Sequence, residues 1–222
     1  MNTLLFLFDK QLTDRSTINV APTTKEIQKM QTQAQQNKVT QLEKPLIIPQ
    51  APVGEEGRVD AVFSAVKQHM GFIPDGLRLY SLSPALLETF VANISYFNCG
   101  ERIPATLMTM IRYLVSSESK CNFCIDFNEG LLTSMGLDLA SIRAARNNAE
   151  LAPIAAKEKP LLMIALKSVN NPESVSANDI QTAKAQGWSD RDIFDVVAQA
   201  ASNRAFSYVL RTFKIESQGA FA

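Results

Sequence analysis

Histidine and tryptophan occur once each in the 222 residues, and cysteine only three times. Three cysteines are too few, and odd in number, for the disulfide scaffold of a small secreted domain; a reducing compartment fits better. One histidine, His69, leaves little from which to build an imidazole-rich metal centre. Neither sign of charge prevails, with 22 basic and 22 acidic side chains, so there is no electrostatic footprint for nucleic acid or for an anionic membrane. No apolar run approaches the length of a membrane span. The short run Leu4–Phe8 has no basic residue before it and meets Asp9, which is too brief and wrongly flanked for a secretory signal. Gly-rich phosphate loops and haem or flavin signatures are missing too, so no cofactor is expected. The expected location is cytoplasmic.

What is present is a long helical pattern. Residues 11–50 stand apart: Gln28, Gln31, Gln33, Gln35, Gln36 and Gln41 crowd a stretch poor in large apolar side chains, and Pro45, Pro49 and Pro52 follow. We read 1–50 as an extension and linker without the functional site, and 51–222 as one helical domain. Val59, Val62, Val66 and Met70 recur at helical spacing before Gly71, with Phe63 on the same side. Ser83-Pro84 opens a second helix and Pro104 a third, running to about Glu118. A fourth spans Cys121 to Met135 and stops at Gly136, and Asp138 caps the next. Another covers Pro160 to about Val169. Ser176 with Asp179 and Ser189 with Asp192 have capping-box spacing, Gly187 lies between, and the last helix runs from Asp190 to about Ile215. No segment alternates convincingly as a strand. The expected class is all-α, about eight helices joined by short connections.

The chemistry-bearing motif is Cys121-Asn122-Phe123-Cys124. At a helix start, backbone N–H groups stabilise a thiolate, and a partner three residues on lies close enough to form a bridge. Asn128 is one further turn along, so Cys121, Cys124 and Asn128 share a face. Phe123, Phe127, Leu131 and Met135, four residues apart, are expected to form a separate buried stripe, leaving the thiol face available. Two duller readings compete. The pair is half of a zinc site, which Cys99 and His69 would have to complete, or two inert buried thiols. Cys99, Met108 and Met110 read as packing residues, His69 as a surface or helix-capping group, Asp126 as a structural polar group, and Trp188 as the anchor of a turn or a subunit contact.

The chain resembles the alkylhydroperoxidase D-like and carboxymuconolactone decarboxylase-like superfamily. The likeness runs over about residues 51–216. It is carried by the helix Pro104–Ser116, then Cys121-x-x-Cys124-Ile125-Asp126, with Gly71–Asp75 and Ser83–Leu87 upstream and Gly187–Asp190 and Asn203-Arg204 downstream. It implies a helical bundle that assembles as a trimer or hexamer. It also implies an oxidoreductase reducing a small peroxide or disulfide at the expense of a thiol electron donor. By the same likeness Cys124 attacks the peroxide and Cys121 resolves the product. The peroxidase members carry a relay histidine where this chain has Asn128, and a relay glutamate where it has Thr109. Neither replacement exchanges a proton usefully near neutral pH, so weak peroxidase activity is expected.

Supporting candidates lie on the preceding helix. Thr109, Arg112, Tyr113 and Ser116 recur at 3–4 spacing, where Arg112 would favour a thiolate and Tyr113 would offer a hydroxyl; the plainer reading of Arg112 is a solvated or ion-paired surface group. Glu118 is a candidate base, with an exposed helix-end residue as its plainer reading. Two alternatives to the peroxidase reading stand: a non-enzymatic helical oligomer used for binding, scaffolding or redox sensing, and a lactone decarboxylase-type enzyme on the same fold.

Overall fold

The computed structural model describes residues 45–98 and 102–215. The greater part of the 1–50 extension, and Cys99, lie outside the described residues. Among those residues there are nine α-helices, four short 3-10 turns and no strand, so the protein is all-α. In chain order the helices are α1 (Glu56–Met70), α2 (Asp75–Leu79), α3 (Pro84–Asn98), α4 (Ala105–Glu118), α5 (Asn122–Ser134), α6 (Leu139–Ala144), α7 (Lys159–Asn170), α8 (Ala177–Ala185) and α9 (Asp190–Thr212).

The expected stops and caps explain most boundaries. Gly71 takes φ 84° and returns its N–H to Lys67, closing α1. Asp138 accepts from the Ser141 N–H at the start of α6. Both serine capping boxes form, Ser176 with Asp179 on α8 and Ser189 with Asp192 on α9. Trp188 anchors the turn before α9 by donating its indole N–H to the Lys157 carbonyl at 2.6 Å. Helix α2 was not expected; at five residues behind Pro74 it is too short to show periodicity.

Helix α4 is the centre. It packs against α5 on one side and α9 on another, and α9 in turn packs on α7. The main core draws on Leu107, Ile111, Leu161, Leu162, Val196 and Ala200, all fully buried. A smaller cluster gathers Leu79, Phe123, Leu210 and Ile215 around the two cysteines, with Ile47, Tyr80, Phe127, Phe206 and Phe213 packed on it. The Leu46 N–H donates to the Phe213 carbonyl at 3.1 Å, which holds the linker against the end of α9. Ile47, just before the helical domain, thus packs against the cluster around the cysteines. At Gly76 on α2 an added Cβ would stand 2.7 Å from the Phe123 ring, so only glycine permits this approach to α5.

Candidate active site

The chain turns from α4 into α5 through Ser119 and Lys120. Lys120 sits in the left-handed region at φ 54°. That reversal makes Cys121 the N-cap of α5 rather than its first helical residue, and its sulfur accepts from the Cys124 N–H at 3.4 Å. The two thiols are free and their sulfurs lie 2.6 Å apart.

The expected division of α5 holds for Phe123, which is buried, but not beyond it. Met135 is 40% exposed, and Phe127 and Leu131 are only partly covered, whereas Cys124, Asn128 and Leu132 are buried. The thiol face is thus the inner face, because it meets α4 and α9. Cys121 and Cys124 are 1% and 2% exposed. Their surroundings are divided: hydrocarbon from Leu79, Phe123, Leu210 and Ile215 on one side, hydroxyls on the other. Ser207 on α9 donates to the Cys124 sulfur at 3.5 Å, and Ser116 on α4 is close enough to bond it. Ser116 is itself held, donating to the Arg112 carbonyl at 2.6 Å and accepting from Asn203 at 3.0 Å.

The pair divides its proton unequally. The Cys124 thiol, its backbone N–H, Ser207 and the charge of Arg211 together outweigh burial and pull Cys121 below the ordinary thiol range. Cys124 moves the other way, because its proton is held by Cys121 and because it is buried. These groups favour Cys121 as the thiolate.

The expected supporting residues separate into three groups. Thr109, Arg112 and Asn128 come together. The Arg112 guanidinium donates to Asn128 Oδ1 at 3.1 Å, to Thr109 Oγ1 at 2.8 Å and to Asn98 Oδ1 at 3.0 Å. Asn128 in turn donates to the Cys124 carbonyl at 2.7 Å. Arg112 is therefore partly buried rather than a free surface group: among the described residues no carboxylate contacts it, and burial lowers its pKa to about 10. Positions 109 and 128 are joined by one guanidinium and contain no acid or base.

Tyr113 faces elsewhere. Its hydroxyl donates to Glu129 at 2.8 Å and accepts from Arg146, so it is not offered to the thiols. Arg143 and Arg146 both pair with that same carboxylate. Burial raises the Tyr113 hydroxyl, and its bond to Glu129 adds to this, carrying it to about 12. Glu118 is exposed and paired with Arg204 at 3.0 Å, which removes it as a base for the pair. Of the α4 candidates only Ser116 bears on the sulfurs; the Arg112 cluster reaches no nearer than the Cys124 carbonyl, through Asn128. Ser207 is the residue that sequence reasoning missed; its distance in the chain hides it, although it lies on the inner face of α9 one turn beyond Asn203. Among the described residues no cluster of histidine, cysteine, aspartate and glutamate could hold a metal ion, and His69 is exposed at the end of α1. Likewise, among them no helix is long and apolar enough to cross a membrane.

No protein-family model matches the chain, and no curated protein does. Solved structures do. A peroxidase-related protein from Silicibacter sp. TM1040 superposes with a TM-score of 0.71 at 19% identity, covering 81% of this chain and 94% of that one. An alkylhydroperoxidase AhpD core protein from Ralstonia eutropha JMP134 gives 0.68 at 18% identity, over 80% and 93%. The debrominase Bmp8, a cysteine-to-alanine variant in complex with 2,3,4-tribromopyrrole, gives 0.59 at 16% identity, over 76% and 91%. Across 80% or more of its length in the first two of these comparisons, therefore, the chain has the alkylhydroperoxidase D-like fold.

Proposed function

We propose that the protein is a thiol-dependent oxidoreductase cycling Cys121 and Cys124 between dithiol and disulfide. The observation that carries this reading is the pair itself: two free thiols at a helix start, sulfurs 2.6 Å apart, one of them accepting a backbone N–H. With a small peroxide, a thiolate attacks oxygen. An S–O bond forms, the O–O bond breaks, and the leaving alkoxide takes a proton. The second thiol then attacks the oxidised sulfur, an S–S bond forms, and the oxygen departs as water with that thiol's proton. A disulfide oxidant reaches the same bridge through a mixed disulfide, and an external thiol donor reduces it again. Nothing in this cycle calls for a cofactor.

The hydrogen bonds favour Cys121 as the anion, while the family likeness gives the attack to Cys124. Mild peroxide treatment of Cys121→Ser and Cys124→Ser decides between them, since the attacking sulfur retains a trappable sulfenic acid when its resolver is removed. Peroxidase turnover is weak in this reading, because acid–base help of about 10²–10⁴-fold is absent from Thr109 and Asn128. The reagent enters by displacing the partly exposed side chains of the cover, Ile47, Tyr80, Phe206 and Phe213. A trimer or hexamer in a reducing cytoplasm belongs to the same proposal. The test is peroxide consumption with mass spectrometry of the pair: a Cys121–Cys124 bridge supports it, and equal consumption by wild type and Cys124→Ser overturns it.

A second reading is favoured by one observation, the near-complete burial of both sulfurs. On this reading the protein is a helical binding or scaffold oligomer whose thiols are inert. Native alkylation no faster than local unfolding, judged against hydrogen exchange of α5, supports it.

A further inference from the structure

Most helical serine and threonine hydroxyls with a hydrogen bond among the described residues return it to their own helix. Thr89, Ser95, Thr109, Ser116, Thr133, Thr182 and Thr212 each donate to the carbonyl four residues earlier. That is the default for a hydroxyl on a helix. Ser207 departs from it. It is fully buried on α9, and its hydroxyl crosses to α5 to donate to the Cys124 sulfur at 3.5 Å. A neutral thiol is a weak acceptor and a thiolate a strong one. A buried hydroxyl that gives up a backbone carbonyl for sulfur is therefore matched to the anion.

We propose that Ser207 is the hydroxyl donor that holds the sulfur pair in its singly ionised form, a hydrogen-bond donor to the anion rather than an acid–base relay. The Ser207 hydroxyl bears on both sulfurs, donating to Cys124 at 3.5 Å and also favouring the ionised form of Cys121, so it acts on whichever of the two carries the charge. The charged and titratable groups facing the pair are Arg211 from α9 and Tyr80 from the turn after α2; the former assists ionisation, and neither replaces a direct donor to Cys124. Ser116 is a weaker second, since its proton is committed to the Arg112 carbonyl. When the pair is oxidised the charge is gone, and the Ser207 hydroxyl is free to return to the Asn203 carbonyl four residues back.

The role rests on the redox reading of the pair but is measured without it. Ionisation of the reduced, folded protein is followed by thiolate absorbance near 240 nm against pH, in a Cys99→Ser background so that only the pair titrates at low pH. Ser207→Ala moves the first midpoint up by about one pH unit, Ser207→Thr restores it, and Ser116→Ala moves it less. Thermal melts of the same variants confirm that folded protein is compared. Superimposable titrations of wild type and Ser207→Ala overturn the proposal, as does a larger shift in Ser116→Ala than in Ser207→Ala. Should the midpoint move while peroxide leaves the wild-type pair unbridged, the Ser207 role stands and the oxidoreductase reading falls.

Discussion

Helices α4 and α5 carry two buried polar sites that solve opposite problems. On one face Glu129 is surrounded by Tyr113, Arg143 and Arg146, and every charge has an opposite charge beside it. On the other, the sulfurs meet hydroxyls and hydrocarbon, and among the described residues the nearby Arg112 has only neutral acceptors. The first site is saturated. It ties α4 to α5 and α6 and leaves nothing to react. The second leaves its charge balance unfinished, which stability alone does not favour. Unfinished electrostatics of this kind are where chemistry is expected.

The sharpest break of this contrast is a pair of substitutions with opposite effects. Cys124→Ala should reduce peroxide consumption to the uncatalysed background while costing only about 1 kcal/mol of unfolding free energy, since it removes one buried sulfur and adds no polar group. Glu129→Gln should leave thiol chemistry intact and cost about 2–3 kcal/mol in denaturant unfolding. That figure lies below the cost of breaking a fully buried pair because Arg143 is largely solvated. A variant that lost both properties at once would dissolve the distinction between the sites.

The same carboxylate gives the comparison a pH signature. Burial alone would raise the Glu129 carboxyl, but Arg143, Tyr113 and Arg146 outweigh it and hold it below its ordinary value of 4.5. A depressed carboxylate contributes stability that is present above that value and lost as pH falls through the folded one. Melting temperature should therefore decline below about pH 4.5, and less steeply in Glu129→Gln.

A constructive test makes the neutral site resemble the charged one. Thr109→Glu with Asn128→His places an acid and a base where one guanidinium now spans both positions, and gives Arg112 a carboxylate. Peroxidase kcat/KM should rise by about tenfold to a hundredfold, and either single change by much less. The smallest effect concerns the turn between the helices. Lys120 holds a left-handed backbone at φ 54°, so Lys120→Gly should stabilise the fold by up to about 1 kcal/mol in thermal melts with sulfur ionisation unchanged.

Local rules recovered much of this molecule because they act within a few residues. Gly71, Asp138 and the serine boxes at 176 and 189 end or begin helices by bonds that span three or four positions. The same spacing placed Cys121, Cys124 and Asn128 together. It did not say which face of α5 turns inward, because the aromatic stripe and the thiol stripe compete and the neighbours α4 and α9 decide. Arg112 read as a surface group for a similar reason: its three acceptors come from three helices. Ser207 was illegible because a serine on an inner helix face declares nothing about a sulfur contributed by another helix.

The missing side chain at Gly76 carries one more implication. The Phe123 ring that lies against it belongs to the turn bearing both thiols, and Phe206 and Leu210 crowd the same spot. A single methyl there would be transmitted through a rigid aromatic plate to the reactive turn. Natural variation at residue 76 should thus be read first as a volume dial on thiol reactivity, although the residue is remote in the chain and touches neither sulfur.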